Sequence, residues 1–146
     1  MTTTIGSTIH IATGAPATNN KAGFDALTFV EIEDVTSIGA ISIEQQTSES
    51  TPVKTGFTQS VKTSSKGAAM PIAFIGDGSQ AGQAAVKAAC EASGAFSVKI
   101  VNADSTNYKA SSGIFYNFAN NEISADVEVG ATVQFIPNAP FIDAAV

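Results

Sequence analysis

Apolar and polar residues alternate most regularly near the end of the chain. Ile123, Ala125, Val127, Val129, Ala131, Val133 and Phe135 share one phase, and Ser124, Asp126, Glu128, Thr132 and Gln134 share the other. A period of two predicts a β-strand with one side on a core. Shorter alternating stretches predict extended structure at 28–47, 67–75, 96–100 and 108–118. In the first, the phase slips near Asp34–Ser37, the mark of a turn or bulge. In the second, Met70, Ile72 and Phe74 form one face and Ala69, Ala73 and Ile75 the other, which predicts cover on both sides. Pro71 marks an edge or a bulge there. Phe96, Val98 and Ile100 alternate with Ser97 and Lys99. Ile114, Tyr116 and Phe118 then share a phase, with Asp104–Asn107 as the turn between.

One segment has a helical pattern. Asp77-Gly78-Ser79 offers capping oxygens and Gly94 a stop, so a helix is predicted over 79–92. Ala81, Ala85, Ala88 and Ala92 form its stripe, flanked by Val86, Ala89 and Cys90. Such a small-residue face lets a helix lie close on a sheet.

Three regions lack a core-forming pattern. Residues 1–26 read as an arm, with a short strand at Thr8–Ile11 followed by the loop composition of Gly14-Ala15-Pro16 and Asn19-Asn20. The tail from Pro137 to the end reads as irregular. Between 44 and 66 the only large apolar residues are Val53, Phe57 and Val61. Glu44 and Glu49 stand on one side of Pro52, and Lys54, Lys62 and Lys66 on the other. This predicts a long polar hairpin that leaves the body of the domain, and long excursions of this kind are usually functional.

A chain of 146 residues suits one domain, and 44% hydrophobic residues support a core. Charged residues make up only 14%, against about a quarter in an average protein. Ser, Thr, Ala, Gly and Asn take their place, and a surface of that kind is cheap to desolvate against another protein. The expectation is a subunit covered by its neighbours. The net charge is -6 and the seven basic residues are all Lys. No basic stripe is present to grip phosphate, so DNA would be repelled rather than bound. The single cysteine, Cys90, excludes an internal disulfide. No apolar run approaches the ~18 residues of a membrane span. The first residues lack the basic start and apolar stretch of a signal peptide. The expectation is a soluble protein made in the cytoplasm, without membrane binding.

Candidate chemistry is sparse. The one histidine, His10, lies on the expected arm, so neither a Ser/His/acid set nor a zinc cluster is plausible. Gly76-Asp77-Gly78 lacks the spacing and Lys-Ser/Thr ending of a phosphate loop and reads as a tight strand-to-helix turn. Glu31, Glu33 and Asp34 lack the glycine and further oxygens of a calcium loop, and read as a solvated face. No catalytic residue, metal or cofactor is expected. A carbohydrate-binding β-sandwich usually presents exposed aromatic residues. This chain has no Trp and only Tyr108 and Tyr116.

The order of elements is strand, long polar hairpin, strand, helix and three strands. In order and wording the chain resembles the major tail tube protein of long-tailed bacteriophages. Phe29-Val30-Glu31-Ile32-Glu33-Asp34-Val35-Thr36-Ser37-Ile38 is similar to that family's opening strand. Asp77-Gly78-Ser79-Gln80, leading to Ala92-Ser93-Gly94, resembles its helix. Phe96-Ser97-Val98-Lys99-Ile100 and Val127-Glu128-Val129-Gly130-Ala131-Thr132-Val133-Gln134-Phe135 resemble its last strands. The likeness covers roughly residues 27–136.

The resemblance implies a mainly β fold, a β-sandwich or barrel flanked by one helix, shared with the type VI secretion tube protein. It implies a structural virion protein of the tail, not an enzyme. Hexameric rings of it would stack into a tube that conducts DNA during genome ejection. Its partners would be copies of itself and the tail tip, tape-measure and terminator proteins, with DNA passing through unbound. A secretion tube subunit or tail terminator is the alternative. On this plan residues 1–26 and 137–146 are arms docked on neighbouring subunits, and 27–136 is the β domain. The hairpin at 44–66 contacts the next ring through Glu44, Glu49, Lys54, Lys62 and Lys66. If the last strand and the hairpin stem form the inner wall, Ser42, Glu44, Gln46, Asp126 and Glu128 line the lumen.

Overall fold

A computed structural model describes residues 5–103 and 106–145. Its elements are β1 (Thr8–Thr13), α1 (Lys21–Asp25), β2 (Val30–Glu31), β3 (Val35–Ile38), β4 (Ile43–Ser50) and β5 (Gln59–Gly67). They continue as β6 (Met70–Ile75), α2 (Ala81–Glu91), β7 (Phe96–Val101), β8 (Asn107–Asn120), β9 (Gly130–Pro137) and β10 (Ile142–Ala145). The fold is mainly β with a flanking helix, as the sequence predicts. Of the expected turn at 104–107, Asp104 and Ser105 lie outside the described residues.

Eight strands form one antiparallel sheet in the order β2-β1-β7-β8-β9-β6-β3, with β10 also paired to β8. The strands at the two ends of this order, β2 and β3, are consecutive in the chain. Ile32 N donates to Ile9 O at 3.0 Å on one side of the junction, and Ile75 N to Asp34 O at 2.9 Å on the other. The sheet therefore curls until its edges are joined by three residues of chain, which removes most of the exposed edge. Inside lie Ile9, Ile11, Ile72, Phe74, Val98, Phe115, Val133 and Phe135. Phe115 is the centre of an aromatic group, 4.9 Å from Phe135 and 6.3 Å from Phe96. The α2 helix covers this core through Val86 and Ala89.

The phase slip at Asp34–Ser37 is real. Asp34 has φ 55, and the β3–β6 register shifts between Val35 and Ser37. Pro71 is not on an edge, since β6 lies between β9 and β3. Its carbonyl accepts from Gly39 N at 2.7 Å, and its missing N–H faces that same side, beyond the end of the β3 ladder, where no strand bond is lost. The second face of β6 is open rather than covered, with Pro71 and Ile75 exposed.

Both expected arms pair within the chain itself. All of β1 pairs with β7, from Thr8↔Val101 to Thr13↔Phe96, and Ile9 and Ile11 are buried. Six residues framed by loop composition read as too little to hold a core, but a neighbouring strand completes them. Residues after β1 pass over the outside of the sheet. Asn20 caps α1 through its Oδ1, which accepts from Gly23 N at 2.9 Å. Phe24, fully buried, then packs on Tyr108 and Ala110. At the other end, β9 and β10 lie in turn on the same side of β8. Between them Asn138 N donates to Ser112 O at 2.8 Å, and Ser111 Oγ to Ala139 O at 2.7 Å. The tail thus continues the sheet after a break, because β8 is long enough to pair with both strands.

Three further expectations are corrected by packing. On α2 the buried positions are Gly82, Gln83, Val86 and Ala89, while Ala81, Ala88 and Ala92 are exposed. The helix turns this way because Gly82 meets the Glu31 carbonyl, where any Cβ would collide. On β8, Phe115 rather than Ile114 and Tyr116 faces the core. A bulge with Asn117 at φ 55 then resets the phase, so that Phe118 stacks 6.1 Å from Phe74. Lastly, β9 begins at Gly130 rather than Ile123. Ala131, Val133 and Phe135 do face inward, but β6 and β8 offer no partner before Gly130 and Ala131. Residues 121–129 form a loop, with Ile123 101% and Val129 67% exposed.

Candidate assembly surfaces

The hairpin is the most distinctive surface. The β4 and β5 strands pair only with each other, from Ile43↔Gly67 to Ser50↔Gln59, with a slip between Gln45 and Thr47. Apart from Gly67, every residue of both strands is exposed. Ala68 N donates to Ser42 O at 3.1 Å across the base, and Gly67 sits against Pro137 too closely to admit a Cβ. At the tip, Gly56 N donates to Pro52 O at 2.8 Å, and the Thr51 and Thr58 hydroxyls meet at 2.9 Å. Val53, Phe57 and Val61 are 101%, 76% and 61% exposed. An isolated two-stranded hairpin is marginal in water, so a ribbon carrying these side chains gains from a partner.

Of the five hairpin residues expected to contact a neighbour, Glu44 and Lys66 meet each other at 3.3 Å across the stem. Glu49, Lys54 and Lys62 make no salt bridge among the described residues. The five residues expected in the lumen share no sheet face. Ser42, Glu44 and Gln46 lie at the hairpin stem, whereas Asp126 and Glu128 lie in the β8–β9 loop. Asp126 and Glu128 share no strand face, because β9 does not form before Gly130.

The remaining candidate groups have structural partners. Glu33 accepts from Gly82 N at 3.1 Å, and Asp34 accepts from Gln80 Nε2 at 3.4 Å. These carboxylates hold the positive end of α2, whose own N-cap Gln80 makes no side-chain cap bond. Asp77 accepts from Ser79 N at 2.9 Å and shapes the strand-to-helix turn. Burial pushes the Cys90 thiol up to about 11, far from a reactive thiolate. His10 sits on β1 opposite Glu31 and Lys99, where burial, then Lys99, holds its pKa below the ordinary value. Among the described residues no three His, Cys, Asp or Glu side chains gather as a metal site, and no helix is long and apolar enough to cross a membrane. Two open grooves, about 360 and 640 Å³, contain Lys66 and Lys109 respectively as their only charged residues.

Sequence reading missed Gln83. It is fully buried, donates through Nε2 to Glu33 O at 2.8 Å and to Ile75 O at 2.9 Å, and accepts from Gly78 N at 3.3 Å. It ties the β2–β3 turn, the end of β6 and the start of α2 together, which keeps the roll closed at its seam. A glutamine among alanines carries no pattern that announces this.

The curled antiparallel sheet, flanking helix and projecting ribbon make a fold shared with chains of contractile injection systems. The chain is similar over 99% of its length to 97% of a chain from an extracellular contractile injection system, the PVC sheath/tube terminator in its extended state, with TM-score 0.68 and 8% identity. It is similar over 99% of its length to 95% of a chain from the anti-feeding prophage baseplate, with TM-score 0.63 and 5% identity. A chain from the PVC sheath-tube complex gives TM-score 0.60 and 9% identity, over 94% of this chain and 88% of that one. No protein-family profile matches the chain, and no characterised protein matches it in sequence. The likeness is therefore one of fold.

Proposed function

We propose that the chain is a structural subunit of a tail or injection tube, not an enzyme, and that its copies form hexameric rings that stack. The observation that carries this reading is the β4–β5 ribbon, exposed along its length and tipped with Val53 and Phe57. A body whose sheet edges are largely closed has little need of such a ribbon for its own folding. The likeness to a chain of the PVC sheath-tube complex supports a tube role, and the six-fold symmetry of the anti-feeding prophage baseplate supports the ring size.

The finer reading is the tube of a phage tail, in which the subunit is a virion component beside tape-measure, tip and terminator proteins. An Arg-free chain of net charge -6 suits a conduit that lets DNA slide through. A terminator that closes the end of a tube is the second reading, favoured by the near-complete overlap with a chain of the PVC sheath/tube terminator. Native mass spectrometry tests the shared element of both. Masses at the hexamer and its multiples are expected, and a monomer at every concentration contradicts it.

A further inference from the structure

The β8–β9 loop is the second unpartnered surface, and it lies at the opposite end of the body from the ribbon. The β6 and β9 strands pair from Met70↔Phe135 to Ile75↔Gly130. The ribbon leaves from the Met70 end. The β3 strand runs antiparallel to β6 towards that end and continues into β4, and β5 returns through Ala68 and Ala69 to Met70. The loop leaves from the Ile75 end, where Gly76 N donates to Val129 O at 2.8 Å and Asn121 N to Gly130 O at 2.9 Å. The bases of the two surfaces are separated by a six-residue strand pair, about 20 Å. Within one copy they do not meet, since the ribbon strands and Ile123 and Val129 are all exposed apart from Gly67.

Their chemistry matches across copies. The loop carries Glu122, Asp126 and Glu128 with Ile123, Val127 and Val129, all exposed. The outer ribbon carries Lys54 and Lys62 with Val53, Phe57 and Val61, also exposed. The loop is also held in shape rather than loose, with Asn121 Nδ2 donating to Glu128 O at 3.2 Å and Val127 N to Ser124 O at 3.3 Å.

We infer that the outer part of the ribbon of one copy docks on the β8–β9 loop of the next, with Lys54 and Lys62 facing the carboxylates Asp126 and Glu128 and with Val53 and Phe57 packed against Ile123 and Val129. This is a head-to-tail contact between unlike surfaces, the type that repeats without closing. It rests on the tube reading and names the surface that receives the ribbon.

Charge exchange tests it. Lys54→Glu with Lys62→Glu, and separately Asp126→Lys with Glu128→Lys, should each raise the concentration for half-assembly about tenfold at low salt. The first variant makes the chain more acidic and the second less so. General repulsion would therefore move them in opposite directions, whereas loss of the contact moves both the same way. The four substitutions together should restore assembly to near the original level. All four sites are exposed, so the fold is retained. A wild-type chain that assembles while the fourfold variant is no better than either pair overturns the contact alone. Single-pair variants that assemble normally also overturn it. A wild-type chain that never assembles overturns the tube reading and the contact together.

Discussion

At the scale of residues, a few side chains decide how the roll closes. Gln83 makes three hydrogen bonds from a fully buried position, and its neighbour Gly82 lets α2 approach the carbonyl of Glu31. His10 shows how strand pairing changes a side chain's chemistry. Glu31 on β2 and Lys99 on β7 stand opposite it. Burial, then Lys99, lowers its pKa from 6.5, and Glu31 only partly opposes them. The unfolded chain takes up the proton near 6.5 and the folded chain resists it to lower pH. The unfolded state binds more protons in that window, so stability falls as pH falls below about 6.5. Thermal melting at pH 7.5 and 5.5 should show a larger loss for the native chain than for His10→Gln. Equal losses would mean that this histidine is not the group responsible.

At the scale of elements, the sequence displayed most strands and misplaced their ends. Met70-Pro71-Ile72-Ala73-Phe74 and Ala131–Phe135 were legible because alternate residues are large and apolar. The bulge at Asn117 was not, since a backbone at φ 55 leaves no periodic trace and reverses the phase beyond it. The loop at 121–129 keeps a strand-like alternation, yet only the partners β6 and β8 decide where pairing starts. Helix α2 was found, but its alanines are too alike to reveal which face meets the sheet. The ribbon was legible as a hairpin from its polar composition, and its contacts were not. Replacing residues 51–58 with a short turn should leave a folded subunit, because the tip is outside both cores. Circular dichroism and the melting temperature should stay near those of the native chain, while sedimentation shows loss of stacking. Normal tubes from the shortened chain would remove the ribbon from the assembly mechanism.

At the scale of the molecule, both ends of the described chain are paired into its own sheet. Its N-terminal strand and its C-terminal strand pair with β7 and β8 of the same chain, where the sequence led one to expect free arms. What remains outward is a ribbon at one end, an acidic apolar loop at the other, and open sheet face at Ile75 and Ile114. The ribbon was legible as a candidate contact surface, but the loop was not, because the sequence does not state which ends of the roll its loops leave from. Electron microscopy of the purified protein at rising concentration tests the central claim most directly. The account predicts six-fold rings with a central channel, stacked with the ribbon of each ring against the next. Particles that stay monomeric, or rings whose ribbons project freely into solvent with no stacking, would contradict it.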